Sequence, residues 1–571
     1  MKPFKLRRRQ APDAAVKTLH DSGMPLLLAK LYAARGIVSP SEISYEFAGI
    51  LPPLTLKNAA EAAVILSDAI EAGKRIVCSA DFDCDGVGSA AIITRAFQLF
   101  GARKIDVAMP VRHRHGYGLS PLLVEEIQSR FSPDLIVTVD CGISSFEGIE
   151  AARKLGIPVL VTDHHMVSDK GLPDALCIVN PNQPGDTFAG KSLSGAGVIF
   201  YVMLAVRAEL KSRGYFEKKG VAYPNLAEIV DLVAMSTVAD VVSLKDQTNR
   251  ILVNQGLKRV REGRACHGIM ALMKVAGRFP PRASVYDIGF AVGPRLNSSG
   301  RLDDMTVGLQ CLLANDEQTA MSIAIQLDAL NVERREIEAA MTEEAEAMLA
   351  EVNVSEGYSL VISDAGFHAG VIGILASRLK EKHERPTIVF APGDNGVLKG
   401  SGRSIPGLNL RDALDIVDKQ NEGLLLAFGG HAMAAGMSIP ANRFADFKAA
   451  FERVVRGLLG DADLNQVTET DGDVSNADIT VDMVKKLEEA VWGQGFPQPL
   501  FDSEVNILEQ KILKDAHLKM KIEKGGKIFD AIWFFQNQTI PSRNRLVYSL
   551  SINEFNGKSS VQMLVRAAEH V

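Results

Sequence analysis

The chain has 571 residues, a formal net charge of −6, 47% hydrophobic residues and 23% charged residues. At roughly 150 residues per domain, this length predicts about three or four domains rather than one hydrophobic core. The composition excludes a disordered or fibrous chain, and the negative net charge argues against a generally basic nucleic-acid binder, so a nucleic-acid site has to be a local groove.

Targeting signals and cysteine patterns are lacking in the sequence. The basic start, Met1 to Arg9, is not followed by an apolar stretch, and no segment approaches the roughly 20 apolar residues that cross a bilayer. The six cysteines form no CxxC pair, which argues against a disulfide framework and a structural zinc site. We therefore expect a cytoplasmic protein that does not associate with membranes.

The first part of the chain predicts a parallel α/β sheet, because short β-branched runs alternate with helical patterns. The predicted strands cover residues 75–79, 104–109, 135–139, 158–162 and 177–179. Between Gly308 and Gly357 there is no glycine or proline, and the apolar residues follow a helical stripe. This pattern predicts one long helix, roughly 50 Å for about 34 residues, that separates two lobes.

The last part of the chain predicts two smaller domains. Strand-like residues 358–363 and 386–391 flank a helical pattern at 371–380, which indicates a second α/β domain. From about residue 465, short alternating strands predict a small β-barrel. Its lysines are Lys511, Lys514, Lys519, Lys521, Lys524 and Lys527.

Aromatic residues of this last region have different expected roles. Trp533, Phe534 and Phe535 are consecutive, so a strand has to split them between its two sides, and at least one is expected in the core. Lysines and exposed rings would bind a nucleic-acid backbone and its bases. Trp492 and Phe496 are expected to close a structural turn.

Acidic residues and histidines follow three of the predicted strands. The first strand leads into Asp81-Phe-Asp-Cys-Asp85, the third into Asp140 and the fourth into Asp163-His-His165. The carboxyl ends of parallel strands share one crevice, which is the usual ligand site of such sheets. We therefore expect these side chains to converge.

A metal site is the interpretation that best accounts for this convergence. A single Asp after a strand is more often a helix N-cap, Asp85-Gly86 alone could be a turn, and the two histidines could be a surface pair. Three acidic strand ends together favour cations, because clustered carboxylates otherwise repel one another. Carboxylates with one imidazole suit manganese or magnesium, and two ions about 3.5–4 Å apart serve phosphoryl hydrolysis.

These residues belong to motifs that resemble the DHH phosphoesterase family and, within it, the RecJ single-strand exonucleases. The motifs are Asp81-Phe-Asp-Cys-Asp-Gly86, Gly116-Tyr-Gly-Leu119, Thr138 to Ser145, Asp163-His-His165, Thr237 to Val242, Gly293 to Arg301, Lys399 to Ser404 and Gly429 to Gly436. The resemblance covers nearly the whole chain. It implies an N-terminal helical extension (1–70), a parallel-sheet DHH catalytic domain (71–310), a connecting helix (311–354), a DHH-associated α/β domain (355–462) and an OB-like barrel (463–571).

The resemblance also implies a role for each site residue. The implied metal ligands are Asp83, Asp85, Asp140, His164 and Asp240. Asp140 would bridge two divalent cations, manganese or magnesium, and Asp81 would lie near the first of them. Asp163 would hold the ring of His164. His165 would face the scissile phosphate.

Further positions are implied to contact DNA. Ser401 and Arg403, in a glycine-bounded loop, would bind a terminal 5′ phosphate together with Arg112; an ordinary surface turn is the alternative. Arg295, Asn297 and Arg301 would line the groove, unless that segment is only a structural loop. His431 would contact phosphate or sugar, or merely pack.

The implied function is 5′-to-3′ hydrolysis of single-stranded DNA to mononucleotides in DNA repair and recombination. A narrow passage between the two lobes would exclude duplex. The implied partners of a monomeric enzyme are single-stranded DNA, a single-strand binding protein and a helicase. Two alternatives are a phosphodiesterase or pyrophosphatase for small substrates, which the barrel argues against, and an inactive DNA-binding scaffold, which the intact ligand set argues against.

Overall fold

The structure is a computed structural model that describes residues 5–350, 357–459, 467–555 and 557–570. The chain divides into two compact units. One comprises Met1–Arg7 with Leu330–Glu469, and the other comprises Arg8–Ala329 with Thr470–Val571. The expected domain borders at 354/355 and 462/463 lie outside the described residues. Within the described ranges, no helix combines the length and the apolar character needed to span a bilayer.

The N-terminal segment, predicted as a helical extension, contains three α-helices that a short strand precedes. Its elements are β1 (Lys5–Arg8), α1 (Asp13–Asp21), α2 (Leu26–Ala33) and α3 (Ala59–Glu71). Strand β1 pairs with β12 (Val467–Thr470) in a two-stranded sheet. The backbone partners of β1 are therefore distant in sequence, and local patterns do not reveal such pairing.

The larger sheet is parallel throughout, as predicted. Its strands are β2 (Ile76–Ala80), β3 (Ile105–Ala108), β4 (Leu135–Val139), β5 (Val159–Thr162) and β6 (Cys177–Val179), in the order β3-β2-β4-β5-β6. Strands β2, β4, β5 and β6 are fully buried, which explains their continuous apolar sequences. The strand order reverses between β2 and β4, so the ligand crevice is expected at their carboxyl ends.

Helices surround this sheet and continue beyond it. They are α4 (Cys84–Leu99), α5 (Arg112–His115), α6 (Pro121–Phe131), α7 (Phe146–Lys154), α8 (Gly195–Ser212), α9 (Tyr215–Lys219), α10 (Val230–Ala239), α11 (Gln247–Arg261), α12 (His267–Val275), α13 (Val285–Asp287), α14 (Gly293–Leu302) and α15 (Thr306–Leu313). A π-helical turn, Ile288–Val292, joins α13 to α14.

The long helix is present, but it begins later than predicted. It is α16 (Glu317–Ala350) and has 34 residues. Helix α15 ends before it because Ala314 is extended, with ψ 135°. Asp316 then caps the new helix by accepting a hydrogen bond from the Thr319 N–H at 2.8 Å. The first residues of α16 belong to the unit that contains the larger sheet, and those from Leu330 belong to the other.

The second α/β domain has a mixed sheet in the order β10-β11-β9-β8-β7. Its elements are β7 (Leu360–Ser363), α17 (Ile372–His383), β8 (Thr387–Pro392), β9 (Val397–Arg403), α18 (Leu410–Gln420), β10 (Ala427–Gly430), β11 (Ala434–Pro440) and α19 (Phe444–Leu458). Only β7 and β8 pair in parallel. One apolar core, which includes Phe390, Phe447 and Phe451, lies beneath this sheet.

The C-terminal region forms the predicted closed barrel of five strands. Helix α20 (Val481–Glu489) precedes β13 (Phe501–Leu513), β14 (His517–Lys524), β15 (Lys527–Trp533), β16 (Arg543–Phe555) and β17 (Lys558–His570). Closure of the sheet removes the exposed strand edges that otherwise promote aggregation.

A buried ion pair ties the barrel segment to the N-terminal helices of the same unit. Both guanidinium ends of Arg35 donate to Asp471 at 2.9 Å, and the two side chains are 1% and 2% exposed. The ring of Trp492 lies 5.0 Å from the Arg35 guanidinium carbon. Trp492 also stacks on Phe496, so these two rings are structural, as expected.

We expect Asp471→Ala to destabilise the protein by about 3–5 kcal/mol, because it leaves the buried Arg35 charge without its partner. Chemical denaturation followed by fluorescence measures this loss. Glu150→Ala, which removes an exposed ion pair with Arg153, is the matched control and should leave the transition unchanged. Equal midpoints for the two variants would show that the buried pair has no such role.

Candidate metal centre

The acidic strand ends do converge at the carboxyl edge of the sheet. Asp81, Asp83 and Asp85 follow β2, Asp140 follows β4, and His164 follows β5. Strands β2 and β4 flank the point where the strand order reverses. Asp240 joins them from the end of α10.

The loop after β2 fixes two carboxylates by local hydrogen bonds. The Asp83 Oδ1 caps α4 by accepting from the N–H groups of Asp85 at 3.0 Å and Gly86 at 3.1 Å. The Asp81 Oδ1 accepts from the Phe82 N–H at 2.7 Å. Asp83 can therefore cap the helix and also bind a metal ion, because its second oxygen is not needed for the cap.

The N-terminus of α8 holds Asp85. Its two oxygens accept from the N–H groups of Gly195 at 2.7 Å and Ala196 at 3.0 Å. Asp85 is 1% exposed, and these bonds oppose the effect of burial on its pKa. A Cβ atom on Gly195 would lie 2.3 Å from the Asp140 Oδ1, so only glycine fits at this position.

Three overlapping sets of donor atoms meet around Asp140 and His164. Within each set the atoms lie inside 4.8 Å of one another, and the sets are Asp81, Asp83 and Asp140; Asp140, His164 and His165; and Asp85, His164 and Asp240. The His164 Nε2 connects the sets, at 3.2 Å from Asp140, 3.5 Å from Asp240 and 3.9 Å from Asp85. Asp140 is thus placed to be shared by two cations.

Hydrogen bonding and acidity both fit cations at this position. The buried Asp140 Oδ1 and His164 Nε2 have no hydrogen-bond partner among the described residues. Burial, followed by repulsion from neighbouring carboxylates, raises the pKa of Asp81, Asp140 and Asp240 well above the ordinary value. The same two causes raise the pKa of Asp85 to about 6. Divalent cations would reverse this repulsion and hold the carboxylates ionised.

His164 has the protonation state of a metal ligand. Burial, followed by the charge of His165, lowers its pKa to about 4, so the ring is neutral near pH 7. A neutral imidazole has a free lone pair for a cation. A hydrogen bond to the backbone of Leu193 orients the ring.

Asp163 holds His165, which corrects the expectation that it holds His164. The Asp163 Oδ1 lies 2.8 Å from the His165 Nδ1 and also accepts from both histidine N–H groups. Burial alone would lower the pKa of His165, but the bond and charge of Asp163 outweigh it and raise the pKa to about 9. Burial would likewise raise the pKa of Asp163, yet His165 lowers it. The pair is therefore ionic at neutral pH.

Sequence reasoning missed the residues that support the histidines. The Tyr117 hydroxyl lies 3.2 Å from the His165 Nε2. The side-chain amides of Asn180 and Asn182 donate to the carbonyls of His165 at 2.9 Å and His164 at 2.6 Å. The Gly116-Tyr-Gly118 motif was a signal for Tyr117. The asparagines carried no local signal, because their partners are backbone atoms after another strand.

Two predicted DNA-contacting residues near the sheet are engaged within the protein. The Asn297 Oδ1 accepts from the Cys84 N–H at 2.8 Å, and Arg295 pairs with Asp328 at 2.8 Å. Arg301 is half-buried on the same helix, α14. Arg112 lies over the Phe82 ring at 4.5 Å. Burial lowers the pKa of Arg112, and the charges of Asp81 and Asp83 oppose this effect.

Ser401 and Arg403 lie on strand β9, which corrects the predicted loop. The strand pairs with β8 and β11, and the Arg403 Nη1 donates to the Ser401 Oγ at 3.1 Å. A Cβ atom on Gly373, in the first turn of α17, would lie 3.0 Å from that hydroxyl and 2.9 Å from the Arg403 Nη2. His431 is exposed in the turn between β10 and β11.

The barrel presents most, but not all, of the predicted contacts. Lys524 is buried and pairs with Asp473 at 3.1 Å, whereas the other five predicted lysines are exposed. Trp533 is half-buried, and Phe534 and Phe535 are exposed. The expectation that one of these rings is core is therefore wrong, because β15 ends at Trp533 and the next two residues leave the barrel wall.

We expect Gly195→Ala to weaken metal binding by about 10- to 100-fold, because the new methyl group displaces the Asp140 carboxylate. Titration with Mn²⁺ by calorimetry measures the affinity, and Gly457→Ala, at an exposed position of α19 with open space around it, is the control. An unchanged affinity for Gly195→Ala would contradict the close approach.

Comparison with protein families assigns three parts of the chain. Residues 75–237 match the DHH family N-terminal domain, residues 356–457 match the DHHA1 domain, and residues 470–567 match the RecJ OB domain. These matches agree with the parallel sheet, the second α/β domain and the barrel described above.

Full-length relatives share the whole arrangement. The chain is 44% identical to the single-stranded-DNA-specific exonuclease RecJ of Dickeya dadantii and 44% identical to that of Escherichia coli, with 98% of each chain covered in both comparisons. The structure of Thermus thermophilus RecJ in complex with Mn²⁺ matches with a TM-score of 0.82 and 27% identity, over 100% of this chain and 79% of that one. The resemblance seen in the sequence motifs is confirmed, and the chain belongs to the RecJ family of DHH proteins.

Proposed function

We propose that this protein is a metal-dependent exonuclease that degrades single-stranded DNA from the 5′ end to mononucleotides in DNA repair and recombination. The observation that carries the proposal is the cluster of overlapping donor sets around Asp140 and His164 at the reversal of strand order. Relatives at 44% identity are named single-stranded-DNA-specific exonucleases, and matched RecJ structures contain Mn²⁺ or Mg²⁺.

Two divalent cations, when bound, would supply the Lewis-acid stabilisation that phosphodiester hydrolysis needs. The side chains that would hold them are Asp81, Asp83, Asp85, Asp140, His164 and Asp240. His165, kept protonated by Asp163, would donate a hydrogen bond to a phosphoryl oxygen as charge develops. Its ring is 43% exposed, so it can reach a substrate. Arg112 would add positive charge beside Asp81 and Asp83.

A terminal phosphate would bind at β9 and α17. The Ser401 hydroxyl and the Arg403 guanidinium lie against the first turn of α17, whose backbone N–H groups favour anions. Recognition of a 5′ phosphate there would give the digestion its direction. In this proposal Arg301 and His431 remain candidates for backbone contact, and exposed lysines of the barrel bind further along the strand.

The cellular setting forms part of the same proposal. All six cysteines are free, which suits a reducing compartment such as the cytoplasm. Single strands arise when a helicase opens a duplex, and a single-strand binding protein then coats them. We therefore propose these two proteins as partners, and we propose that the enzyme is a monomer.

We expect Asp140→Asn to abolish hydrolysis of a 5′-phosphorylated single strand in Mn²⁺, because both cations lose a ligand. The same change should raise the thermal midpoint of the chelated protein by a few degrees, since it removes one of the mutually repelling carboxylates. Release of labelled mononucleotide and a melting curve measure the two effects. Asp106→Asn, at an exposed position of β3, is the control. Retained turnover, or turnover that survives chelator, would contradict the metal centre.

The direction of digestion is tested on one strand labelled at either end. We expect the 5′ label to appear first as a mononucleotide, and a blunt duplex or a dinucleotide to be a much poorer substrate. Faster turnover of the dinucleotide would instead favour an enzyme for short oligonucleotides, and earlier release of the 3′ label would reverse the proposed polarity.

We expect Arg403→Ala to lower kcat/KM about 10- to 100-fold on a 5′-phosphorylated strand, because one charge-assisted hydrogen bond is lost. A strand with a 5′ hydroxyl should be hydrolysed equally by this variant and by the unmodified protein. Arg443→Ala, which removes an exposed arginine of the same unit, is the control. An equal loss on both strands would show that Arg403 does not read the phosphate.

A further inference from the structure

Two stacked aromatic rings are exposed on the surface of the catalytic unit. The ring centroids of Tyr286 and Phe290 lie 4.6 Å apart at an interplanar angle of 25°. The residues are 58% and 68% exposed, although aromatic side chains are usually buried in a core. Phe290 lies in the π-helical turn Ile288–Val292, a feature that is frequent at functional sites.

The turn that carries Phe290 packs directly on a helix of the metal centre. A Cβ atom on Gly289 would lie 3.5 Å from the Val238 side chain, and one on Gly293 would lie 3.3 Å from the Ala239 Cβ. Val238 and Ala239 are the last residues of α10 before Asp240. The aromatic pair is therefore fixed to the segment that supplies a metal-ligating carboxylate.

The residues just before the pair contact the barrel and the segment that leads into it. Tyr286 follows Val285, whose side chain would lie 3.8 Å from a Cβ atom on Gly493. Arg282, four residues before Tyr286, pairs with Glu554 of β16 at 3.1 Å. The segment that carries the rings thus contacts both the metal centre and the barrel region.

A guanidinium group lies beside the rings. The guanidinium carbon of Arg278 lies 5.8 Å from the centroid of the Tyr286 ring, and its Nε lies 3.6 Å from Asp287. The neighbouring Phe279 is also 66% exposed. Flat aromatic faces next to arginine are the combination with which proteins hold unpaired bases.

We propose that Tyr286 and Phe290 form a base-stacking platform that holds a nucleobase of the single strand between the metal centre and the barrel. The proposal rests on the proposed function and extends it to a specific contact. A docking site for a folded protein would need about 800 Å² on each partner. Two adjacent rings are too small for that, but one exposed ring face is enough to stack a single base. Stacking accepts any base, as an enzyme that digests strands of any sequence requires.

The platform is tested by binding in the hydrolysis-blocked Asp140→Asn chain. A single 2-aminopurine is moved stepwise along a 5′-phosphorylated strand, and its fluorescence reports stacking. We expect quenching at one position, and we expect the double substitution Tyr286→Ala and Phe290→Ala to restore fluorescence there and to raise Kd about tenfold, the effect of losing one stacked base. Phe290→Trp should retain the quenching. Tyr223→Ala, at a 49% exposed tyrosine elsewhere in the unit, should change neither quantity.

A strand with an abasic residue at the quenched position separates stacking from other effects. We expect the double variant to bind this strand as the unmodified platform does, because no base remains to stack. An equal loss of affinity on normal and abasic strands would overturn the proposal, as would quenching that the double variant leaves unchanged. If the double variant binds the strand normally but no longer binds a partner protein, the rings belong to a protein interface instead.

In the hydrolytically competent chain, the double variant should raise KM about tenfold and leave kcat unchanged, because the rings touch a base and not the reacting phosphate. The binding readout does not depend on hydrolysis. Quenching without nuclease activity would therefore support the platform and refute the proposed function. Nuclease activity without quenching would support the proposed function and refute the platform.

Discussion

Repulsion between buried carboxylates is the constraint on which the catalytic unit depends. The parallel sheet brings acids from three strand ends to one edge, and burial makes each charge costly. The protein itself compensates some of these charges. Backbone N–H groups at the α8 N-terminus donate hydrogen bonds to Asp85, and the His165 ring bonds to Asp163. Asp140 and Asp240 are left with strongly raised pKa values. The fold thus separates carboxylates that it satisfies from those that need a cation.

The backbone at Asp140 and next to Asp240 adopts a conformation that non-glycine residues rarely adopt. Asp140 has a left-handed backbone with φ 59°, and so does Val241, directly after Asp240. For a β-branched residue this conformation is unfavourable by about 1–3 kcal/mol. Val241 is 61% exposed, so its side chain gains little from packing. Left-handed backbone at Asp140 and directly after Asp240 indicates that packing elsewhere, such as that of Gly195 against Asp140, fixes the geometry.

The sequence predicted those features that follow from local pattern. Continuous apolar strands followed by acids predicted the parallel sheet and its ligand crevice, because burial and strand direction determine both. It did not predict the partner of Asp163, because both adjacent histidines were within reach and only tertiary packing chooses between them. Nor did it place Ser401 and Arg403 on β9, since glycines at 400 and 402 suggested a loop. In the sheet they let Phe390 and Leu410 pack closely on the opposite face.

A chain with net charge −6 and an acidic catalytic crevice has to bind a polyanion by other means than a uniformly basic surface. At the reacting phosphate, cations would convert the repulsive cluster into an attractive one, so substrate binding there is linked to metal binding. Elsewhere along the strand, stacking on Tyr286 and Phe290 would add affinity that does not depend on charge. Terminal phosphate recognition by Ser401 and Arg403 would add a local positive contact in the other unit. Binding of this kind should lose less affinity with added salt than binding by phosphate contacts alone, because only part of it releases counterions.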